Sequence, residues 1–263
     1  MRRLPPFLVL AVVTLVGLDS AHGQTARKAA EMLVPFKVGE ALTYEVSWSS
    51  YLTAGTVTLT VQDKHPSYSS VAYYVVAEAR PTPLMSRLYT LYYKADALID
   101  SYTVLPQRGS VYSEEGKRHL LKATMFNQSA HKAVFENVTA KTSRELTVPA
   151  YTQDPLSALY ILRALPLKPG SHTTIPMSTG GRVYRAEVYV DALETAKTPA
   201  GPFEAFPLRA LVFDERGQPA GRPVMLWISN TPARLPVKLR FDLAIGSFNL
   251  SLSNVGGGPA QLQ

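Results

Sequence analysis

The chain has 263 residues, with 27 lysines and arginines against 20 aspartates and glutamates and no cysteine. The absence of cysteine excludes disulfides, thiolate metal sites and thiol catalysis. The net charge of +7 favours anionic partners such as acidic lipid head groups, but no stretch has the dense Lys/Arg clustering that phosphate backbones select, so we expect no nucleic acid partner.

The first residues predict export. Met1-Arg2-Arg3 is a positive start, an apolar run covers residues 7–18, and Ala21-His22-Gly23 puts small residues at the two positions that a signal peptidase reads. This pattern predicts a cleavable signal peptide over residues 1–23. The run is too short for the roughly 20 residues of a membrane span. We therefore expect a periplasmic protein with no membrane span in the mature chain.

The rest of the chain is dominated by period-two alternation of apolar and polar residues. Residues 24–34 are polar and alanine-rich and predict a flexible lead-in, whereas 35–255 predict one β-rich domain and 256–263 a disordered tail. Alternation with β-branched and aromatic residues indicates half-buried strands. The predicted strand segments are 42–48, 56–61, 71–79, 88–96, 97–106, 117–126, 132–139, 181–193, 201–213, 224–229, 235–243 and 246–254.

So many short strands favour a single antiparallel meander with one apolar face. A sheet of that length must curl, close or split into two layers. The prediction is a mainly β fold, with a strongly curved antiparallel sheet or an incomplete or closed β-barrel.

One segment predicts a helix, over about residues 155–164. Asp154 is a favoured N-cap residue, Pro155 suits the first helical position, and Pro166 ends the run. Leu156, Leu159, Tyr160 and Arg163 recur at helical spacing, and Ile161 and Leu162 widen the apolar surface. A helix this apolar must bury most of its circumference, so we expect it to pack against the hollow side of the sheet.

Several stretches carry a resemblance to a known family. They are "FKVGEALTYEVSW" with "AGTVTLTV", then "DPLSALYILRALPLKPG", and finally "WISNTPARLPVKLRFDLAIGSFNLSL". Together they resemble the domain-of-unknown-function 3108 family of exported bacterial proteins, over about residues 36–255. The resemblance implies a Gram-negative envelope location and a mainly antiparallel β-fold, and it brings no catalytic residues.

The sequence contains no recognisable catalytic constellation. There is no G-x-S-x-G elbow, no H-E-x-x-H and no P-loop, and no histidine lies at metal-ligand spacing. Asp96 and Asp100 form a D-x-x-x-D pair that could do acid–base work, although two solvated charges are the simpler interpretation. We expect no metal, no cofactor and no enzymatic activity.

Two groups of side chains are candidates for ligand binding. Fourteen tyrosines is a high number, and aromatic residues can line a cavity for an acyl chain or a sugar face or can form an ordinary core. An arginine on an apolar helix must reach solvent, pair with an acid or hold an anionic head group. The candidates are Tyr44, Trp48, Tyr92, Tyr160, Arg163, Trp227 and Arg240.

Two functions fit these features. The first is a non-catalytic periplasmic protein that binds an apolar or lipid-like ligand, or another anionic ligand of the envelope, inside a curved sheet. The alternative is an envelope scaffold with a filled core and an exposed patch or free edge strand for a protein partner. The interior of the fold separates them, because only the first requires an apolar cavity.

Overall fold

A computed structural model of the chain describes residues 30–49, 52–88, 91–243 and 246–257. The chain divides into Met1–Ala30 and Glu31–Gln263. The predicted signal peptide and residues 258–263 of the predicted tail lie outside the described residues, and so does most of the predicted lead-in. Among the described residues, no helix has the length and apolarity needed to cross a bilayer.

The alternating pattern forms 15 strands in one antiparallel sheet. The strands are β1 Ala41–Trp48, β2 Leu52–Ser67, β3 Ser70–Pro81, β4 Leu91–Asp100, β5 Pro106–Glu115, β6 Arg118–Asn127, β7 Lys132–Asn137, β8 Thr142–Thr147, β9 His172–Thr179, β10 Arg182–Val190, β11 Glu194–Thr198, β12 Gly201–Asp214, β13 Val224–Ser229, β14 Pro236–Leu243 and β15 Gly246–Gly256. The helices are α1 Pro83–Leu88 and α2 Pro155–Ala164. The mainly β prediction is confirmed.

The strand order is β8-β7-β6-β5-β4-β3-β2-β1-β15-β14-β13-β12-β10-β9, with β11 paired to β12 beside this path. Neighbours in sequence are mostly neighbours in the sheet, as in a meander. The main exception is the pairing of β1 with β15, which joins the two ends of the domain in the middle of the sheet. In addition, β10 pairs with β12, and β8 and β9 are at opposite edges.

Several boundaries differ from the sequence prediction. The predicted segments 88–96 and 97–106 are instead one strand, β4, which ends where Asp100 Oδ1 accepts hydrogen bonds from the backbone N–H groups of Tyr102 and Thr103. The polar strands β5, β8, β9 and β11 were not predicted. The helix α1 was also not predicted; Thr82 Oγ1 accepts from the Met85 N–H in its first turn.

The predicted helix is confirmed with the bounds Pro155–Ala164. Asp154 Oδ1 accepts from the N–H groups of Leu156 (2.9 Å) and Ser157 (3.3 Å), and Ser157 Oγ accepts from the Asp154 N–H. This reciprocal capping satisfies donors that a helix start leaves free. Gly109 of β5 allows the close approach, because a Cβ there would lie 2.9 Å from Asp154 Cγ.

The sheet curls around α2 but does not close. The helix contacts β4 and β5 on one side and β9 on the other, although β5 and β9 are far apart in the strand order. Just before the helix, Gln153 exchanges backbone hydrogen bonds of 2.8 Å with Pro176 and Ser178 of β9. The gap between the two halves of the sheet is therefore bridged by α2 and its lead-in segment.

Candidate functional site

The curled sheet is filled differently at its two ends along the strand direction. We call the face that packs against α2 the inner face. The closed half is the part of this face beneath α2, and the open half is the part beyond it. The rim is the set of connections at the open end, which are β1–β2, β3–β4 with α1, β5–β6, β7–β8, β9–β10, β12–β13 and β14–β15.

The closed half is a packed core. Phe36 makes edge-to-face contacts with Tyr160 of α2 (4.7 Å between ring centroids) and with Tyr73 of β3 (5.2 Å). Tyr160 and Leu42 are fully buried, as are the neighbouring side chains of β2, β4 and β15. Such density is typical of a protein interior, so this half has no room for a ligand.

A buried ion pair fixes α2 over the closed half. The Arg163 guanidinium is 1% exposed and donates from both terminal nitrogens to Glu40 Oε1 and Oε2, at 2.7 and 2.8 Å. It also donates to the carbonyls of Arg234 (3.0 Å) and Ala233 (3.1 Å). Burial opposes the charge of Arg163, but the hydrogen bonds and negative charge of Glu40 outweigh it and raise the arginine pKa. Because these four hydrogen bonds occupy its guanidinium, Arg163 has a structural role.

Two of the candidate tyrosines belong to the same buried cluster. The Tyr44 hydroxyl donates to the Pro236 carbonyl at 2.7 Å. Burial raises the pKa of both Tyr44 and Tyr160 well above the usual range, and the nearby Arg163 only partly offsets it. Both phenols therefore stay neutral and act as core residues around the ion pair.

Along β1, β14 and β15, the open half is apolar and partly exposed. Phe248 of β15 lies between Trp48 of β1 and Phe241 of β14, with ring centroids 6.4 and 5.5 Å away and interplanar angles of 8° and 13°. These side chains continue the alternation that places Tyr44 and Leu252 in the core. All three rings are only partly buried, so the inner face ends in an accessible aromatic surface.

Aliphatic side chains extend this surface to strands on both sides of the β1–β15 pair. They are partly exposed residues that pack at the border of the core: Val57, Ala77, Leu250, Met177, Ala210, Val212 and Leu239. Leu156, Leu159 and Ile161 of α2 are also only partly buried and close one side. We call the three rings and these aliphatic side chains the apolar lining. It offers contact to hydrocarbon and few polar groups.

The remaining candidates lie elsewhere. Tyr92 points to the other face, where its hydroxyl donates to Glu78 Oε1 at 3.0 Å. The Trp227 indole donates to Glu194 at 2.6 Å, and Arg240 is exposed on β14. Of the seven candidates, the structure brings Tyr44, Tyr160 and Arg163 together in the core and places Trp48 alone in the apolar lining.

Asp96 and Asp100, the candidate acid–base pair, make separate sets of hydrogen bonds. Asp96 accepts from Arg108 at 2.7 Å and from Ser110 at 2.5 Å. Asp100 organises the turn after β4. Within the part of the chain that the structure describes, no three potential ligands come together to hold a metal ion.

A second concave feature lies between the β2–β3 turn, the β4–β5 turn and the β6–β7 hairpin. It is an open cleft of about 620 Å³ with Tyr68, Met125 and Val134 in its walls. Its polar side chains are only partly paired. Gln128 donates to two carbonyls and Lys132 pairs with Glu145 at 2.6 Å, whereas Gln107 Oε1 and Gln128 Oε1 are buried without a hydrogen-bond partner among the described residues.

Three important side chains were missed by sequence reasoning. Glu40, the partner of Arg163, is in the quoted "FKVGEALTYEVSW" stretch, but 123 residues separate the two. Phe241 and Phe248 showed strand alternation, yet only the β14–β15 register places them opposite each other. The sequence contains these residues at recognisable positions, but their roles depend on contacts between distant parts of the chain.

Comparison with known proteins gives one family match and a set of similar folds. The family model described as "Protein of unknown function (DUF3108)" matches residues 43–253. No curated protein shows a significant match.

Among solved structures, a beta-barrel-like DUF1849 protein from Brucella abortus is similar, with TM-score 0.54, 10% identity and coverage of 85% of this chain and 99% of that one. A candidate exported protein with a YmcC-like fold from Bacteroides fragilis aligns with TM-score 0.32, 14% identity and coverage of 86% and 99%. A candidate lipoprotein from Parabacteroides distasonis aligns with TM-score 0.37, 7% identity and coverage of 86% and 100%. The first of these matches supports the barrel-like fold.

Proposed function

The chain belongs to the DUF3108 family of proteins of unknown function, and from this premise we propose that it is a non-catalytic cell-envelope protein that binds an apolar, lipid-like ligand. The ligand lies against the apolar lining, with its hydrocarbon part on the Trp48–Phe248–Phe241 stack. The export signal expected from the sequence supports the envelope location.

One observation carries the proposal. The same inner face is densely buried beneath α2 and, along β1, β14 and β15, remains apolar but partly exposed beyond it. Exposed apolar surface is unfavourable by roughly 25 cal/mol per Å², and contiguous patches of it commonly mark binding sites. Small-molecule sites are concave and mostly apolar, often at the mouths of barrels. An acyl chain has the shape and chemistry to cover this surface.

The scaffold alternative agrees with a different part of the structure. It predicts a free edge strand, and β8 is an edge of the sheet with mostly exposed side chains. It also predicts a filled interior, which agrees with the closed half, whereas the side chains of the apolar lining are only partly buried. The two functions therefore differ on whether the apolar lining takes a ligand.

The test is binding of the fluorescent apolar probe N-phenyl-1-naphthylamine, followed by displacement with palmitate. We expect wild-type protein to enhance the probe fluorescence and Phe248→Glu to abolish the enhancement, because a carboxylate would stand in the apolar lining. Val255→Glu is the control: it places the same carboxylate on the same strand, at an exposed position at the far end of β15 from Phe248. It should bind the probe like wild type.

Organic extraction and mass spectrometry of protein from its native host give a second readout. We expect a lipid at close to one molecule per chain. If wild-type protein neither enhances the probe fluorescence nor carries extractable lipid, the ligand-binding proposal fails. If Phe248→Glu unfolds, Phe241→Glu takes its place, with circular dichroism to check that the β-sheet is retained.

A further inference from the structure

We propose that the rim docks onto an anionic lipid bilayer, so that the apolar lining opens towards the membrane. This inference rests on the proposed function, since it names the source of the ligand. It is drawn from two features of the rim that are independent of the lining, namely its exposed apolar side chains and its charge.

Exposed apolar side chains surround one side of the opening. Leu84 on α1 is 64% exposed and Val138 in the β7–β8 connection is 47% exposed. Leu91, Tyr93 and Val111, at the open ends of β4 and β5, are also exposed. A surface that combines apolar side chains with cations is typical of proteins that lie on a membrane.

The charges on the rim are mostly positive. In the rim connections and the strand residues next to them, the cations are Arg87, Lys117, Arg118, Lys141, Arg182, Arg216 and Arg222, and the acids are Glu115, Asp214 and Glu215. Apart from Arg222, which lies 3.8 Å from Asp242, none of these cations forms an ion pair with another described residue.

The opposite end of the sheet has no excess of positive charge. Its connections between β2 and β14, with the strand residues next to them, carry Lys132, Arg163, Lys168 and Arg234 against Asp100, Asp154, Asp191 and Glu194. The positive charge of the chain is therefore concentrated at the end where the apolar lining opens. Each lysine or arginine close to an anionic membrane contributes about 1 kcal/mol of attraction, and this polarity orients the protein.

The test is co-sedimentation with sucrose-loaded vesicles of phosphatidylcholine, with and without 30 mol% phosphatidylglycerol as the anionic lipid (roughly a physiological charge density). The rim variant is Arg87→Gln/Lys117→Gln/Arg118→Gln. The matched control, Lys37→Gln/Lys168→Gln/Lys197→Gln, changes the same number of exposed cations away from the rim. All proteins carry the same N-terminus, so its contribution cancels.

We expect wild-type protein to prefer the anionic vesicles and to lose this preference at high salt. The rim variant should bind them about 100-fold more weakly, from about 1 kcal/mol per cation, while the control stays within a few-fold of wild type. Equal binding to both vesicles, or equal losses in the two variants, would overturn docking through the rim.

The same proteins separate this inference from the proposed function. Without vesicles, the rim variant should bind N-phenyl-1-naphthylamine like wild type, whereas Phe248→Glu should lose the probe but keep its affinity for anionic vesicles. If no protein binds the probe but the rim effect persists, the ligand proposal fails and docking stands. If wild-type protein binds the probe but shows no preference for anionic vesicles, the docking inference fails and the ligand proposal stands.

Discussion

Replacing Arg163 with methionine would remove the guanidinium that joins three distant parts of the chain. Arg163 is on α2, Glu40 lies just before β1, and the carbonyls of Ala233 and Arg234 precede β14. Methionine keeps a similar stem but makes none of the four hydrogen bonds. The change therefore leaves Glu40 as a buried carboxylate without a cation.

The expected cost follows from the burial of the pair. Removing one partner of a buried ion pair destabilises a protein by about 3–5 kcal/mol, because the other charge stays desolvated. The whole free energy of unfolding of a domain is about 5–15 kcal/mol. With a urea m-value of about 1–3 kcal/mol/M, the unfolding midpoint should fall by roughly 1–5 M.

The assay is urea unfolding at pH 7, followed by tryptophan fluorescence and far-ultraviolet circular dichroism. Arg240→Met is the control, because Arg240 is exposed and such changes usually stay within about 0.5 kcal/mol. The double variant Arg163→Met/Glu40→Met should be less destabilised than the sum of the single variants, since it buries no lone charge. If Arg163→Met unfolds at the same urea concentration as Arg240→Met, the ion pair does not hold α2 in place.

Three further predictions follow from the same region. Burial raises the pKa of Asp154, so stability falls as pH rises from its unfolded to its folded pKa. Asp154→Asn keeps the cap and should remove this slope in thermal melts. Asp154→Ala should also lack the slope and, below the unfolded pKa, should be about 1 kcal/mol less stable than wild type. Gly109→Ala places a Cβ 2.9 Å from Asp154 Cγ and should cost about 1–3 kcal/mol in urea unfolding; an unchanged midpoint would show that the helix start can shift freely. Tyr44→Phe leaves the Pro236 carbonyl without its donor and should cost about 1 kcal/mol at pH 7. Because the raised pKa of Tyr44 makes wild type lose stability above about pH 10, this variant should lose less there, and a parallel decline in both proteins would contradict the assignment.

The fold was predictable where local pattern decides structure. The helix was predicted with its observed bounds because Asp154, Pro155 and Pro166 act within a few residues of the chain. The strongly alternating strands, such as β1 and β10, were also predicted. The polar strands β5 and β8 were not, because they are held by pairing with neighbours rather than by an apolar face of their own. α1 has only six residues, and so short a helix cannot be distinguished from a loop by sequence pattern alone.

The candidate site was predictable only in part, for a related reason. Composition drew attention to aromatic side chains and an unusual arginine, but it could not distinguish core positions from an accessible surface. Arg163 and Tyr160 lie on the buried side of α2, and Phe241 and Phe248 meet only through the β14–β15 register. Position relative to the end of α2 decides which residues stay accessible, and that depends on how the whole sheet curls.

The pairing of β1 with β15 has a consequence for biogenesis. β1 gains its second neighbour only when the last strand has been made, so until then the sheet cannot be continuous from β1 to β14. Contacts between such distant segments slow folding, and until they form both halves expose unpaired edges that invite aggregation. Removal of the final strand should therefore leave β1 and β14 as exposed strand edges, and the shortened chain should aggregate instead of folding into a smaller version of the same sheet.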